Sequence, residues 1–151
     1  MRGVEILHVV FDTSGSFCEP GKKHMLNYLG NTAMNLECMS WAKVKFVFHT
    51  WNEKLEVVEE VGNLFTEGVA DAEILRHFLS ECTENEAVIL ITDGEFEGAD
   101  KHSFKAAINA LGQRFAVVAA GYDAEIFRLQ SLTPNSFYAE DMYTVFKLLA
   151  G

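Results

Sequence analysis

Val4-Glu5-Ile6-Leu7-His8-Val9-Val10-Phe11 runs directly into Asp12-Thr13-Ser14-Gly15-Ser16. The first eight residues read as a buried strand, apart from Glu5 and His8. The next five place a carboxylate and two hydroxyls at alternate positions just beyond its end, where they can be turned onto one small oxygen-loving cation. Far downstream a second apolar run, Ala87 to Ile91, ends in Thr92-Asp93-Gly94-Glu95. A second strand therefore delivers a second carboxylate at its C-terminal end.

Between and beyond these runs, apolar stretches alternate with amphipathic ones, the pattern of an α/β fold with a mainly parallel sheet. Pro20 suits the first turn of a helix that continues with Met25, Leu26, Leu29, Ala33 and Leu36 at helical spacing. Val44 to Thr50 reads as the second strand. The short turn Trp51-Asn52-Glu53 makes the following segment, Lys54 to Val61, an antiparallel edge strand, because a parallel crossover needs a longer connection. A helix from about Ala70 to Glu81 places Ile74, Leu75, Phe78 and Leu79 on one face. The remaining expectations are a helix over Lys101 to Leu111, a strand over Phe115 to Ala120 and a short helix over Asp123 to Gln130. A brief strand at Ser136 to Tyr138 and a closing helix behind the acidic cap Glu140-Asp141 complete them. The 151 residues read as a single domain.

The formal charge is −10. That balance argues against nucleic-acid or anionic-membrane binding, which needs a basic footprint. Cys18, Cys38 and Cys82 are an odd set without C-x-x-C spacing and read as free thiols in a reducing compartment. No run approaches the roughly 20 apolar residues of a membrane span. A cytoplasmic location is the expectation.

In open α/β sheets, ligands bind beyond the carboxyl ends of the strands where strand order reverses. Neighbouring first and fourth strands would bring Asp12 and Asp93 together there. Asp12-Thr13-Ser14-Gly15-Ser16 and Thr92-Asp93-Gly94 resemble the D-x-S-x-S and T-D-G signatures of von Willebrand factor A domains, and the succession of elements fits that fold along the chain. The resemblance implies a three-layer, Rossmann-like α/β/α domain with a metal-ion-dependent adhesion site for magnesium or manganese. It further implies that Ser14 and Ser16 bind the cation directly, while Asp12 and Asp93 hold it largely through ordered waters. The family's further threonine ligand falls on Val69 if Gly68 aligns with the family's glycine, and on Thr66 if the loop is longer. Intracellular members work beside AAA+ ATPases, especially the MoxR group, which makes a separately encoded ATPase the implied partner class.

Hydroxyl ligands leave much of the ion's charge uncompensated, so a partner's Asp or Glu can complete the coordination. That is binding, not catalysis, and no enzyme activity is expected. Plainer readings stand beside it. Ser14, Gly15 and Ser16 are ordinary turn residues, Asp12 can cap a helix, Glu95 and Glu97 read as solvated loop acids, and Trp41, Trp51 and His49 read as packing residues. A metal-free scaffolding domain and a magnesium-dependent hydrolase are the alternative functions. The chain has no P-loop, no G-x-G-x-x-G and no G-x-S-x-G pattern.

Overall fold

The computed structural model describes residues 3–39, 44–94, 101–121 and 126–150. Among these residues, six strands form one sheet in the order β3-β2-β1-β4-β5-β6. They are β1 (Ile6–Asp12), β2 (Lys45–Trp51), β3 (Leu55–Val58), β4 (Glu86–Thr92), β5 (Phe115–Ala119) and β6 (Ser136–Tyr138). All neighbours pair in parallel except β2 and β3, which run antiparallel and put β3 on the edge. The antiparallel edge is shorter than the sequence suggests: Lys54 and residues 59–61 lie outside the strand.

Among the described residues, five α-helices connect and cover the sheet: α1 (Pro20–Met39), α2 (Ala72–Glu81), α3 (Lys101–Leu111), α4 (Ile126–Leu132) and α5 (Met142–Ala150). Glu140 and Asp141 lie in a short 3-10 turn leading into α5 rather than as its side-chain cap. Trp41, Glu95, Glu97 and the expected helix start at Asp123 fall outside the described residues.

The alternation of side chains along the central strands splits the core in two. Leu7, Val9 and Phe11 of β1 face Leu26, Leu29, Ala33 and Leu36 of α1 together with Val145 and Phe146 of α5. Val10 of β1, with Val88 and Leu90 of β4, faces Leu75 and Leu79 of α2 and Phe104 and Ile108 of α3. β1 and β4 are covered on both faces, which is why both read as near-continuous apolar runs.

β1 lies between β2 and β4, so successive connections depart from it in opposite directions. The strand order reverses at β1, and Asp12 ends that strand. The register sets Phe11 beside Ile91 and Asp12 beside Trp51, so the acidic turns after β1 and β4 emerge side by side.

Gly30 marks where α1 presses closest to its surroundings. A Cβ there would overlap the main-chain carbonyl of Val61, which cannot swing aside as a side chain would. Gly30→Ala should therefore lower the stability of the fold by about 3 kcal/mol, although alanine is the better helix former. A urea melt showing no fall in the midpoint would show that the approach of residue 61 to α1 is not a constraint.

Candidate metal centre at the carboxyl edge of the sheet

The chain leaves β1 through an Asx-type turn, in which the Ser14 N–H donates to Asp12 Oδ1 at 2.9 Å. A 3-10 turn, Gly15–Cys18, follows and is pinned by the fully buried Phe17 ring. The turn is also tied to its neighbours. The Thr13 N–H donates to the Trp51 carbonyl at 2.8 Å, Gly15 N–H to the Gly68 carbonyl at 2.7 Å, and Glu67 N–H to the Thr13 carbonyl at 2.9 Å. Trp51 is wholly buried, and its indole N–H donates to the Asp71 carbonyl at 2.9 Å. It is a packing residue that fixes the loop before α2.

Thr92 joins the two acidic turns. Its hydroxyl donates to Asp12 Oδ2 at 2.6 Å and accepts from the Gly94 N–H at 3.1 Å. Both Asp12 oxygens are thus engaged, a disposition suited to holding a cation through water rather than by direct contact. Asp12 is inaccessible to solvent. Its pKa is pushed up to about 7, first by burial and to a smaller extent by the nearby charge of Asp93, against the hydrogen bonds from Ser14 and Thr92.

Ser14 Oγ and Ser16 Oγ lie 3.0 Å apart. Two adjacent ligands of an octahedral magnesium at about 2.1 Å would stand about 3 Å from each other, so the hydroxyl pair already has the spacing of one octahedron edge. The two hydroxyls and two carboxylates of Ser14, Ser16, Asp12 and Asp93 are the oxygen donor set that suits a small divalent cation.

The fifth expected ligand is placed differently. Thr66 is buried, and its hydroxyl donates to Cys18 Sγ at 3.5 Å while that thiol donates to the Thr66 carbonyl at 3.3 Å. Val69 is half exposed, and its N–H donates to Glu53 Oε1 at 3.1 Å. Among these loop positions the structure brings no hydroxyl into contact with the serine pair.

Sequence reasoning missed Lys22. This residue of the first turn of α1 is 3% exposed, and its Nζ lies 3.2 Å from Asp93 Oδ2. A helix N-terminus carries partial positive charge and disfavours a lysine, so its burial there is made tolerable by the facing carboxylate. The signal available beforehand was weak: a lysine among apolar helix positions, two residues after Pro20. His49, in contrast, turns away from this edge toward His8, with Nε2 2.9 Å from His8 Nδ1. Thr92, quoted only as part of a motif, proves to be the hydrogen-bond bridge.

No protein-family model and no curated protein sequence matches the chain. Solved structures do. Manganese-loaded Plasmodium vivax TRAP protein superposes with a TM-score of 0.70 at 14% identity, over 97% of this chain and 74% of that one. A von Willebrand factor type A protein from Catenulispora acidiphila gives 0.67 at 16% identity, over 99% of this chain and 43% of that one. The ArnB paralog VWA2 from Sulfolobus acidocaldarius gives 0.66 at 12% identity, over 99% and 45%. The chain thus spans less than half the length of the latter two.

Replacing Lys22 by methionine removes the ammonium facing a buried carboxylate. Lys22→Met should cost about 3 kcal/mol in chelator-treated protein, within the range for breaking a buried pair. Equal urea midpoints for variant and parent would show that the contact carries no net stability. The six-stranded order, the single antiparallel edge and these superpositions together identify the fold of this chain as that of the von Willebrand factor A domain.

Proposed function

We propose that this chain is a protein-interaction module that binds an acidic side chain of a partner through a divalent cation, magnesium or manganese, held by Asp12, Ser14, Ser16 and Asp93. The observation that carries the reading is the serine pair, set 3.0 Å apart in the turn that follows a carboxylate whose two oxygens are already oriented. Neutral hydroxyls in the first shell leave the ion electrophilic, so a partner's carboxylate can displace a water and complete the coordination. The manganese-loaded state of a structural neighbour is consistent with that chemistry. Around the site, Phe65 is 73% exposed and Val69 50% exposed. Apolar side chains flanking a polar contact are the usual composition of an interface centre. The reading is one of binding rather than catalysis. A AAA+ ATPase of the MoxR group is the partner class suggested by the resemblance.

Lys22 favours a second reading, a metal-free interaction domain. Its ammonium already supplies a positive charge against Asp93, and Val69 offers no ligand where the family has threonine. In this reading the tethered amine replaces the ion, and partners engage the apolar rim.

A thermal melt of chelator-treated protein titrated with magnesium or manganese separates the two. Binding to the native state alone stabilises it by about 2.7 kcal/mol when the free ion reaches 100 times its dissociation constant. The cation reading expects a saturable rise in the wild type, its loss in Asp12→Ala, and a tighter response in Val69→Thr. A response unchanged in Asp12→Ala removes these residues as ligands. No rise in the wild type, with one appearing in Lys22→Met, establishes the tethered-amine reading.

A further inference from the structure

A second group of metal-ligating side chains lies well removed from the edge just described, on the α2 face of the sheet and toward the opposite ends of the strands. His8 of β1, Cys82 at the end of α2 and Glu86 of β4 present donor atoms that all fall within 4.8 Å of one another. His8 Nε2 is 3.1 Å from Glu86 Oε1. The other oxygen, Glu86 Oε2, accepts from the Thr83 N–H at 2.6 Å. Burial alone would raise the Glu86 pKa, but the bonds from Thr83 and His8 outweigh it and keep the carboxyl below its usual value. The Cys82 thiol contacts the Phe78 carbonyl at 3.6 Å, and the Phe78 ring packs against both His8 and His49 at 5.0 Å.

We propose that His8 Nε2, Cys82 Sγ and one Glu86 oxygen form a site for a zinc-class divalent ion, with a water in the fourth position.

Imidazole, sulfur and carboxylate are the donor set that selects such an ion over magnesium or calcium. Zinc holds tetrahedral ligands about 3.5 Å apart. From at most 4.8 Å apart the three donors would close in by up to about 1.3 Å to reach that spacing, a movement within reach of the half-buried Cys82 and Glu86 side chains. Each donor comes from a different element, so the ion would tie the end of α2 to β1 and β4. His49 completes the arrangement. A ligating imidazole donates its other N–H to a neighbour, which fixes the tautomer, and His49 Nε2 stands 2.9 Å from His8 Nδ1 for that purpose. His49 is suited to accept because burial, and then the adjacent His8, lower its pKa to about 4 and keep it neutral.

The protons balance. Without the ion, His8 Nε2–H donates to Glu86, His8 Nδ1 accepts from His49 Nε2–H, and Cys82 is a thiol whose pKa burial and the Glu86 charge push up to about 11. On binding, the Cys82 S–H bond breaks and its proton leaves to solvent while the metal–sulfur bond forms. His8 takes the Nδ1–H tautomer and His49 the Nδ1–H tautomer, so neither imidazole changes charge. The dication is then matched by one thiolate and one carboxylate, and the occupied site is neutral.

The test uses the full chain, reduced and chelator-treated, with Cys18 and Cys38 replaced by serine so that Cys82 is the remaining thiol. Cobalt(II) titration should produce a thiolate-to-cobalt charge-transfer band that saturates at about one ion per chain, with zinc bleaching it and release of about one proton per ion. Cys82→Ser in that background should abolish the band, and Glu86→Gln and His49→Gln should each weaken affinity about 10- to 100-fold. Far-UV circular dichroism verifies that each variant is folded. Absence of the band in the folded parent, or its persistence after Cys82→Ser, would overturn the site. Magnesium plays no part in this readout, so the outcome is independent of the cation proposed at Asp12.

Discussion

Two carboxylates, Asp12 and Asp93, are buried at one edge of the sheet, and the arrangement around them follows from the need to compensate that burial. An ionised carboxylate taken out of water costs several kcal/mol unless hydrogen bonds or an opposite charge replace its hydration. Asp12 is compensated by hydrogen bonds, one from its own turn through Ser14 and one from Thr92 on the adjacent strand. It also responds by titrating upward, to about 7. Asp93 is compensated by charge, through the Lys22 ammonium. The strand order places β1 beside β4 and brings the two acids together. Trp51, Glu67 and Gly68 in the loops around them are braced by main-chain bonds to the same turn, and Asp71 is tied back to Asn52.

The fold was readable because its signals are local. The runs Val4–Phe11, apart from Glu5 and His8, and Ala87–Ile91 are apolar because both faces of β1 and β4 are covered, and the three-residue connection between Trp51 and Leu55 could only reverse the chain. The strand order was not legible, since nothing in a parallel strand's own residues names its neighbour. It entered as a condition on the meeting of Asp12 with Asp93. Edge-strand limits were overextended at β3 because Glu59 and Glu60 interrupt the alternation without any local stop signal. At the site, the residues within the two short motifs could be named in advance. The pairing of Lys22 with Asp93 and of His8 with Glu86 could not, because these partners are 71 and 78 residues apart in sequence and no spacing rule links them.

His8 illustrates why the second group escaped notice. In the sequence it is, with Glu5, one of two polar interruptions of an apolar run, and an isolated histidine invites a structural reading. The fold surrounds it with His49, Glu86, Cys82 and the Phe78 ring. Without an ion, His8, His49 and Glu86 satisfy one another, since a neutral imidazole is both donor and acceptor. A polar chain of this kind orients β1, β2 and β4 in register from inside the sheet, and the same side chains hold the donor atoms close enough for a metal.

The two ends of the sheet solve a shared electrostatic problem in different ways. At the carboxyl edge the acids outnumber the available cation: Asp12, Asp93 and one ammonium. With Asp12 titrating near neutrality and Lys22 against Asp93, the net local charge at pH 7 lies between zero and one negative unit. A dication entering there would draw Asp12 fully into its ionised form and would compete with the ammonium for Asp93. Its affinity is therefore set by the difference between two compensated states and not by the ligand count alone. The lack of a hydroxyl from Thr66 or Val69 at the serine pair and the presence of Lys22 would act in the same direction, toward weaker ion binding. The serine pair, with its octahedral spacing, acts against them. On the proposed reading, that opposition would set a tethered amine and a free divalent cation in competition for Asp93, and a partner carboxylate, which adds negative charge, would be accommodated only with the dication present.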